Sequence, residues 1–326
     1  MSTEIEMLRT SERRAAKRCW QRYEWGNLEG LTTTDPSAAL WFGSGVHDVL
    51  AYYYGKTGFR RNLDFLDVWE KWCDEGSDDG EYVGAAEYGD KFNLELRALG
   101  RAMLKGYHEH WGGDKDWDVI ATERTFQVRI PMPDGTHVTY VGTWDGVYRH
   151  RVTKKVRLME HKTAKAISNK HLSLDDQAGS YWAVAYTILA KEGILKPKQG
   201  IEGITYNYLR KALPDQRPRN KEGHYLNQDG RVSKSQPAPL FERFEIKRNA
   251  RERAVQIQKI KNEVHHIRAI KDGSLPVTKN PTADCSWDCS FFQMCEVHDQ
   301  GGTAWEEFRD AVFVERDPYQ YHRKSA

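Results

Sequence analysis

The sequence lacks any apolar run near twenty residues, and it lacks an excess of charge of either sign. Its 49 Lys and Arg residues nearly balance 47 Asp and Glu residues, which leaves a formal net charge of +2. Without a long apolar run we expect no membrane-spanning helix. The balanced charge excludes a wholly basic, histone-like polyanion binder, so any contact with nucleic acid must come from a local basic patch.

The sequence also has few cysteines and no apolar core in its first residues, MSTEIEMLRTSERR. We therefore expect no secretory signal there. The odd number of cysteines, five in all, argues against a disulfide framework. Together these features predict a protein of a reducing cytoplasm, in which thiols stay free or bind metal.

The hydrophobic pattern changes along the 326 residues, a length that suits one large domain or two modest ones. Helical spacing is typical of the first third, and helices are predicted at 37–54, 62–73 and 85–110. Four strands follow, predicted at 126–130, 137–147, 156–162 and 201–209. Further helices are expected at 174–190 and 249–270, with a mobile basic loop at 214–239 between them. This order predicts an α/β fold with a mixed sheet of about four or five strands and helical additions at both ends.

Charged residues interrupt two of the predicted strands. Glu160 and Lys162 lie on one face of their strand because alternate strand residues share a face. Asp145 lies near the end of the neighbouring strand, where a hairpin would bring it beside Glu160. Two carboxylates so placed can hold a hard divalent cation, which can activate water and bind phosphate. A salt bridge on a solvated sheet face explains the same fragment equally well.

Other polar residues accompany this pair in a fixed order. His47 offers an imidazole upstream, and Gln177 and Tyr181 share a helix face downstream because they are four residues apart. The order His47, Gly-x-x-Asp145, Glu160-x-Lys162 and Gln177-x-x-x-Tyr181 resembles the RecB-like branch of the PD-(D/E)XK nucleases. The proline that gives the superfamily its name is missing before Asp145.

The resemblance implies a role for each of these residues. His47, Asp145 and Glu160 would bind Mg²⁺ or Mn²⁺ together with the backbone carbonyl of His161. Lys162 would assist the attacking water, and Gln177 and Tyr181 would organise the site and contact the DNA strand. Glu123 matches a glutamate often found on the preceding strand of such enzymes.

Three cysteines near the C-terminal end, Cys285, Cys289 and Cys295, are close enough in sequence to bind one centre, with Cys19 as the candidate fourth ligand. This arrangement is similar to the CRISPR-associated RecB-like exonucleases and the AddB nuclease domain, which implies a [4Fe–4S] cluster that ties residue 19 to the tail. Structural zinc and free buried thiols are the alternatives. We expect Trp287, Phe291 and Phe292 to shield the centre, and Cys73 to be a packed thiol.

The resemblance divides the chain into three parts of one integrated domain. These are a helical lobe (1–118), a restriction-endonuclease-like nuclease core (119–212), and a segment with the basic loop, amphipathic helix and iron–sulfur tail (213–326). Three basic regions are candidates for the DNA contact, and the one with Lys165 and Lys170 is favoured because it follows Lys162 directly. No Gly-x-x-x-x-Gly-Lys-Ser/Thr loop occurs, so any unwinding would need a separate helicase or recombination protein.

These features together predict a metal-dependent DNA exonuclease. It would act on single-stranded DNA or DNA ends, in bacterial or phage recombination, repair or replication. Alternatives are a non-catalytic DNA-binding or assembly protein, a CRISPR-adaptation nuclease, and a zinc-stapled structural protein with a fortuitous acidic pair. The oligomeric state stays open, since some relatives form rings.

Overall fold

The computed structural model describes residues 6–34, 36–55 and 64–320. Eight strands are found there: β1 (Met7–Arg9), β2 (Leu31–Thr33), β3 (Trp117–Pro131), β4 (His137–His150), β5 (Val156–Ala164), β6 (Ile201–Arg210), β7 (Phe241–Lys247) and β8 (Phe313–Glu315). The α-helices there are α1 (Thr10–Arg18), α2 (Trp20–Tyr23), α3 (Ala38–Gly55), α4 (Phe65–Glu75), α5 (Arg97–Trp111), α6 (Asp176–Lys191), α7 (Ala250–Lys271), α8 (Cys285–Asp288), α9 (Phe292–Asp299) and α10 (Ala304–Val312). None of these helices has the length and hydropathy that a bilayer span requires.

Six strands form one mixed sheet, which confirms the predicted α/β class and adds a strand to the expected number. The strand order is β1-β4-β5-β6-β7, with β3 paired to β4. The β1–β4 and β5–β6 pairs are parallel, and the β3–β4, β4–β5 and β6–β7 pairs are antiparallel. Helix α6 makes the connection between the parallel strands β5 and β6. The short strand β1 and the strand β7 are additions that the hydrophobic pattern did not predict.

Each face of the sheet carries its own apolar core because successive strand residues point to opposite faces. On β5, Val156 and Leu158 pack in the core that includes α6 and α7, whereas Met159 packs in the core formed with α3, α4 and α5. The expected packed thiol Cys73 is buried in the second core. The sheet is therefore covered by an apolar core on both sides.

Two predicted elements differ in the structure. The single helix expected at 85–110 is divided into a 3₁₀ turn (Ala85–Tyr88), a π-helix (Lys91–Leu96) and α5. The division falls at Gly89, whose φ of 90° lies in a region that a helix cannot use. The helix expected at 62–73 begins at Phe65 and ends at Glu75, and the first two predicted positions lie outside the described residues.

The chain is also joined across its length. Strands β2 and β8 form a separate antiparallel ladder between Leu31–Thr33 and Phe313–Glu315. In α1, the fully buried side chain of Arg13 donates to Glu263 of α7 at 2.5 Å and to Asp176 of α6. The N-terminal helices and the C-terminal segment therefore pack on the same sheet.

Candidate active site

The candidate site lies where β4 and β5 separate. The ladder between these strands pairs residues 146–149 with 156–159 and ends at the Gly146–Met159 pair. Further back along β4, residues 139–141 pair with β1 instead. Asp145 and Glu160 are the first residues beyond the end of the ladder, so both carboxylates stand at the opening. Asp145 and Glu160 are therefore neighbours, as predicted, because the pairing of β4 with β5 ends beside both of them.

Three side chains from different elements converge at this opening. Nδ1 of His47, on α3, lies 3.4 Å from Oε1 of Glu123 and 3.6 Å from Oδ1 of Asp145. One ligand atom from each residue lies within 4.8 Å of the others. An imidazole and two carboxylates at this spacing are ligands that divalent cations accept.

Glu123 is held in an unusual position on β3. Its neighbours Thr122 and Arg124 pair with Gly146 and Trp144, so Glu123 faces Asp145 across the ladder. Its φ is 37°, in the left-handed region that residues with a side chain rarely adopt. Oε1 is buried and accepts no hydrogen bond of normal geometry from the described residues. Its nearest charged partner is His47, 3.4 Å away, and a bound cation could satisfy this buried oxygen more fully.

The electrostatics of the three residues also fit a cation. Burial alone would lower the pKa of His47, but Asp145 and Glu123 outweigh it and hold that pKa well above its usual value. Burial raises the pKa of Glu123. Burial also opposes ionisation of Asp145, yet His47 and the backbone N–H of His161 lower its pKa to about 2. When no metal is bound, His47 therefore keeps its proton, so a positive charge remains next to the two carboxylates.

Glu160 and Lys162 form a close ion pair beside this group. Nζ of Lys162 donates to Oε1 of Glu160 at 2.5 Å. Burial raises the pKa of Glu160 to about 7, with Asp145 adding to the rise and Lys162 opposing it. Although burial opposes its charge, Lys162 has a raised pKa because Glu160 and Asp175 stabilise the ammonium. Among the described residues, the group within 4.8 Å contains Glu123 and not the predicted Glu160.

His161 contributes to the opening through its backbone. Its N–H donates to Oδ2 of Asp145 at 2.6 Å, in place of a ladder bond. The N–H and C=O of one strand residue point toward the same neighbouring strand, so the carbonyl of His161 also faces the opening. Its imidazole stacks on Tyr54 with ring centroids 5.8 Å apart and meets the ring of His47 edge-on at 5.9 Å.

Gln177 and Tyr181 lie at the start of α6, as predicted. The helix begins with an N-cap in which Asp175 accepts hydrogen bonds from the N–H groups of Gln177 and Ala178. Tyr181 is only 9% exposed and packs edge-on against Phe126. Its pKa is raised, mainly by burial and also by the charges of Glu160 and Asp145, which indicates that it lies near the site. Tyr181 is therefore placed to support the site from within the core.

The two sides of the site differ in charge. His47 and Glu123 line a cleft of about 730 Å³ together with the acidic residues Asp48, Asp78, Asp79 and Glu81. Burial and the neighbouring carboxylates raise the pKa of Asp48 to about 6. The predicted DNA contacts Lys165 and Lys170 are exposed, beyond the end of β5. Burial and the charge of Lys165 lower the pKa of Lys211, so a second lysine lies near this end.

The four predicted cluster cysteines lie where the two ends of the chain meet. Sγ of Cys19 accepts a hydrogen bond from the N–H of Asn280, and Sγ of Cys285 accepts one from the N–H of Thr282, both at 3.4 Å. Burial raises the pKa of Cys289, and the charges of Cys285 and Cys19 add to the rise. Backbone N–H groups donating to sulfur suit thiolate ligands.

The structure itself shows no cysteine cluster in the part of the chain that it describes, where no three of these sulfurs come within 4.8 Å of one another. The predicted shielding by Trp287 is wrong, because this side chain is 75% exposed on the four-residue helix α8. Phe291 is buried as predicted. It packs with Trp25, Met294 and Phe313 in a small apolar cluster that Cys289 and Cys295 border.

Comparison with known proteins adds a family match. The sequence matches the profile of the PD-(D/E)XK nuclease superfamily over residues 10–296. No curated protein sequence matches the chain. Similar solved structures include a candidate exonuclease from Eubacterium rectale, with 10% identity, coverage of 87% of this chain and 94% of that chain, and a TM-score of 0.43. LHK-Exo in complex with dAMP shows 15% identity, coverage of 72% and 95%, and a TM-score of 0.22. At these TM-scores no detail of either structure is transferred.

Proposed function

The chain belongs to the PD-(D/E)XK nuclease superfamily, and we propose that it is a RecB-like exonuclease that hydrolyses DNA with Mg²⁺ or Mn²⁺. The observation that carries this proposal is the convergence of His47, Glu123 and Asp145 within 4.8 Å, beside the Glu160–Lys162 ion pair. The substrate would be single-stranded DNA or a DNA end. The setting would be recombination, repair or replication in a bacterial or phage-infected cytoplasm.

The residues at the opening fit a divalent cation, because they offer one imidazole, two carboxylates and a backbone carbonyl, and one of the carboxylate oxygens is buried without a hydrogen bond of normal geometry. His47, Asp145 and the carbonyl of His161 would hold it as predicted, with Glu123 as an additional ligand. Glu160 would contribute negative charge next to them. When bound, the cation would lower the pKa of the attacking water and stabilise charge on the scissile phosphate.

Lys162 would act on the same attacking water and scissile phosphate as the cation. Glu160 fixes its ammonium by a 2.5 Å hydrogen bond, and the raised pKa keeps it charged at neutral pH. A fixed ammonium can hold the attacking water or the phosphate oxygen on which negative charge develops. Tyr181, whose pKa is raised in part by the charges of Glu160 and Asp145, would organise the site from the core, and Gln177 at the start of the same helix would contact the strand.

The DNA strand would approach from the lysine side of the site. The acidic residues that line the cleft repel phosphate, whereas Lys165, Lys170 and Lys211 attract it beyond the end of β5. A backbone hydrogen bond of 2.7 Å from Lys211 to Ala164 joins the two chain segments that carry these lysines. We expect binding to weaken steeply with salt, because phosphate contacts release counterions.

For the cysteines we propose a [4Fe–4S] cluster held by Cys19, Cys285, Cys289 and Cys295. In such a cluster each thiolate binds a different iron, so the sulfurs lie further apart than around one ion. Four thiolates on zinc would lie about 3.8 Å apart at a Zn–S distance near 2.3 Å, and no three of the described cysteine sulfurs lie within 4.8 Å of one another. The cluster would join the N-terminal lobe to the tail, so that the three predicted segments act as one domain.

The experiment that tests the site is a nuclease assay with end-labelled single-stranded DNA. With Mn²⁺ the wild type should release nucleotides, whereas Asp145→Asn should lower the rate by at least about a hundredfold, the size expected when charge stabilisation is lost. Asp118→Asn is the matched control, since Asp118 is half exposed on the neighbouring strand and pairs with Arg151. Full activity of Asp145→Asn would reject this site. DNA binding without cleavage by the wild type in any divalent metal would favour a non-catalytic binding protein.

A further inference from the structure

A cavity outside the metal group contains two arginines, and no carboxylate belongs to the described residues that line it. It has a volume of about 210 Å³ and lies between the end of β1 and α2. One water needs only roughly 10–15 Å³, so the cavity has room for a larger polar group. Among the polar residues that line it are Arg9, Ser11, Arg22, Asn27, Thr32 and Ser290.

The charge of Arg9 is not balanced by a partner in the described parts of the chain. Its Nε is buried without a hydrogen bond, and its guanidinium forms no ion pair with a described residue. The guanidinium lies 5.2 Å from the ring centre of Tyr319. Burial lowers the pKa of Arg9, and the charges of Glu12 and other acidic groups oppose this only in part. A partly buried guanidinium without an anion is costly, so a bound anion would stabilise it.

Arg22, on α2, brings a second guanidinium to the same cavity. Its Nη1 donates to Oδ2 of Asp288 at 3.2 Å. A guanidinium has five N–H donors, so this single ion pair leaves donors for a ligand. The hydroxyl groups of Ser11, Thr32 and Ser290 line the cavity as well. Guanidinium groups and hydroxyls are the donors that the oxygens of a phosphate accept.

The sheet relates this cavity to the metal group. Arg9 pairs with Val141 of β4, so the two side chains share a face. Thr143 lies on the same face because alternate strand residues do, and it lines the cleft with Glu123. Val141 and Asp145 are four residues apart, which is about 13 Å along a strand. A DNA strand bound at the metal group would therefore reach Arg9 within about four nucleotides, at roughly 3.4 Å for each in a stacked strand.

A larger cavity of about 420 Å³ also borders Arg9, and its charges differ. It is lined by Asp79, Glu81 and Asp317 together with Arg316. Burial raises the pKa of Glu81 and Asp79 adds to the rise, whereas Arg316 and Arg9 oppose it. Three carboxylates disfavour a phosphate there. The smaller cavity is therefore the one that suits an anion.

We propose that the cavity between Arg9 and Arg22 binds a phosphate group. As part of the DNA strand, this phosphate would lie a few linkages away from the one that is cut, and this source rests on the proposed function. Free inorganic phosphate offers the same oxygens and is the other possible source. In either case the ligand brings the negative charge that Arg9 lacks.

The first test locates a contacted phosphate in DNA. Binding of the metal-free full chain to single-stranded oligonucleotides is measured by fluorescence anisotropy, with one neutral methylphosphonate linkage placed at each position in turn. In the wild type, one such linkage outside the cut position should weaken binding by about tenfold or more, as expected for hydrogen bonds to a charged group. Arg9→Met should bind the unmodified DNA more weakly and should not respond at that linkage. Its salt dependence should be less steep by about 0.7 in the slope of log K against log salt.

The second test uses inorganic phosphate alone. Millimolar phosphate should raise the melting temperature of the wild type above that in chloride at the same ionic strength, and it should not do so in Arg9→Met. Arg251→Met is the matched control, since Arg251 is exposed on α7, which covers the other face of the sheet. It should behave as the wild type in both tests.

The stability of the variants excludes a merely structural role. Arg9→Met removes an unbalanced charge, so it should unfold at a urea concentration no lower than the wild type does. Arg22→Met loses only a surface ion pair, and it should show the same loss of response to the methylphosphonate linkage and to phosphate. Arg22→Met therefore decides the matter if Arg9→Met does not fold.

The outcomes separate this proposal from the proposed function. A sensitive linkage that is lost in the variants supports the site with DNA as the source. Stabilisation by inorganic phosphate without a sensitive linkage supports the site with free phosphate as the source. Variants that match the wild type in both tests would overturn the proposal, even in an active nuclease. A wild type with a sensitive linkage that cleaves no DNA in Mn²⁺ would refute only the proposed function.

Discussion

Replacing Glu160 with glutamine should change how the stability of the metal-free protein depends on pH. Glu160 is 4% exposed, and burial raises its pKa from 4.5 to about 7 despite the ion pair with Lys162. The native state therefore keeps a proton on Glu160 between pH 4.5 and 7, where the unfolded chain has released it. Stability must fall as pH rises through this window and stay constant above it. Glutamine cannot ionise, so the variant lacks this contribution.

The size of the effect follows from the two pKa values. A pKa difference of one corresponds to about 1.4 kcal/mol, so the rise to about 7 corresponds to roughly 3 kcal/mol of unfolding free energy. Below pH 4.5 the carboxyl is protonated in both states, and its hydrogen bonding resembles that of glutamine. The variant should therefore gain roughly 3 kcal/mol on the wild type as pH rises from 4.5 to 7. Other titrating groups are shared by both proteins and largely cancel in this difference.

The assay is urea unfolding followed by tryptophan fluorescence at several pH values from 4.5 to 8, in buffer without divalent metal. The control is Glu192→Gln, because Glu192 pairs with Arg124 at the surface and its pKa is lowered, not raised. Parallel stability curves for the wild type and Glu160→Gln would show that Glu160 ionises normally. In that case the charge of Lys162 would fully offset the cost of burying the Glu160 carboxylate, and the reasoning from burial would be refuted.

Three further predictions concern different parts of the molecule. Gly142→Ala should destabilise the protein by about 1–3 kcal/mol in urea unfolding, because a Cβ there would lie 2.7 Å from the ring of Tyr181; unchanged stability would mean that the ring moves freely. Lys162→Met should lower kcat by at least about a hundredfold without weakening Mn²⁺ binding, and an unaltered kcat would exclude its catalytic role. Cys19→Ser should lose iron and sulfide in chemical assays and melt at a lower temperature, whereas equal metal content in variant and wild type would reject the cluster.

The sequence was sufficient for the class of fold and for part of the site. The alternating strands and the crossover helix predicted the mixed sheet, and the spacing of Asp145 and Glu160 predicted that they would be neighbours. The grouping of His47 with Asp145 came from a resemblance to a family. The match over residues 10–296 supports membership of the PD-(D/E)XK nuclease superfamily, and the RecB-like branch remains a prediction. The roles of these residues in catalysis remain predictions.

Other features could not be predicted because they depend on distant contacts. Strand β1 has only three residues, too few for a periodic pattern, and it is defined by its pairing with β4. Asp114, Asn207 and Arg243 are far apart in sequence and match no motif, yet folding joins them by hydrogen bonds behind His161. Trp287 was expected to shield the cysteine-ligated centre, but the short helix that carries it leaves it exposed.

The β2–β8 ladder has a consequence for how the protein is made. Its two strands are about 280 residues apart in sequence, so it cannot form until residue 315 has left the ribosome. At roughly 5–20 residues per second, Leu31–Thr33 must wait between about 14 and 60 seconds for its partner. During that interval its backbone hydrogen-bonding groups are a target for unintended association. A chaperone that shields nascent N-terminal segments should therefore raise the yield of active protein.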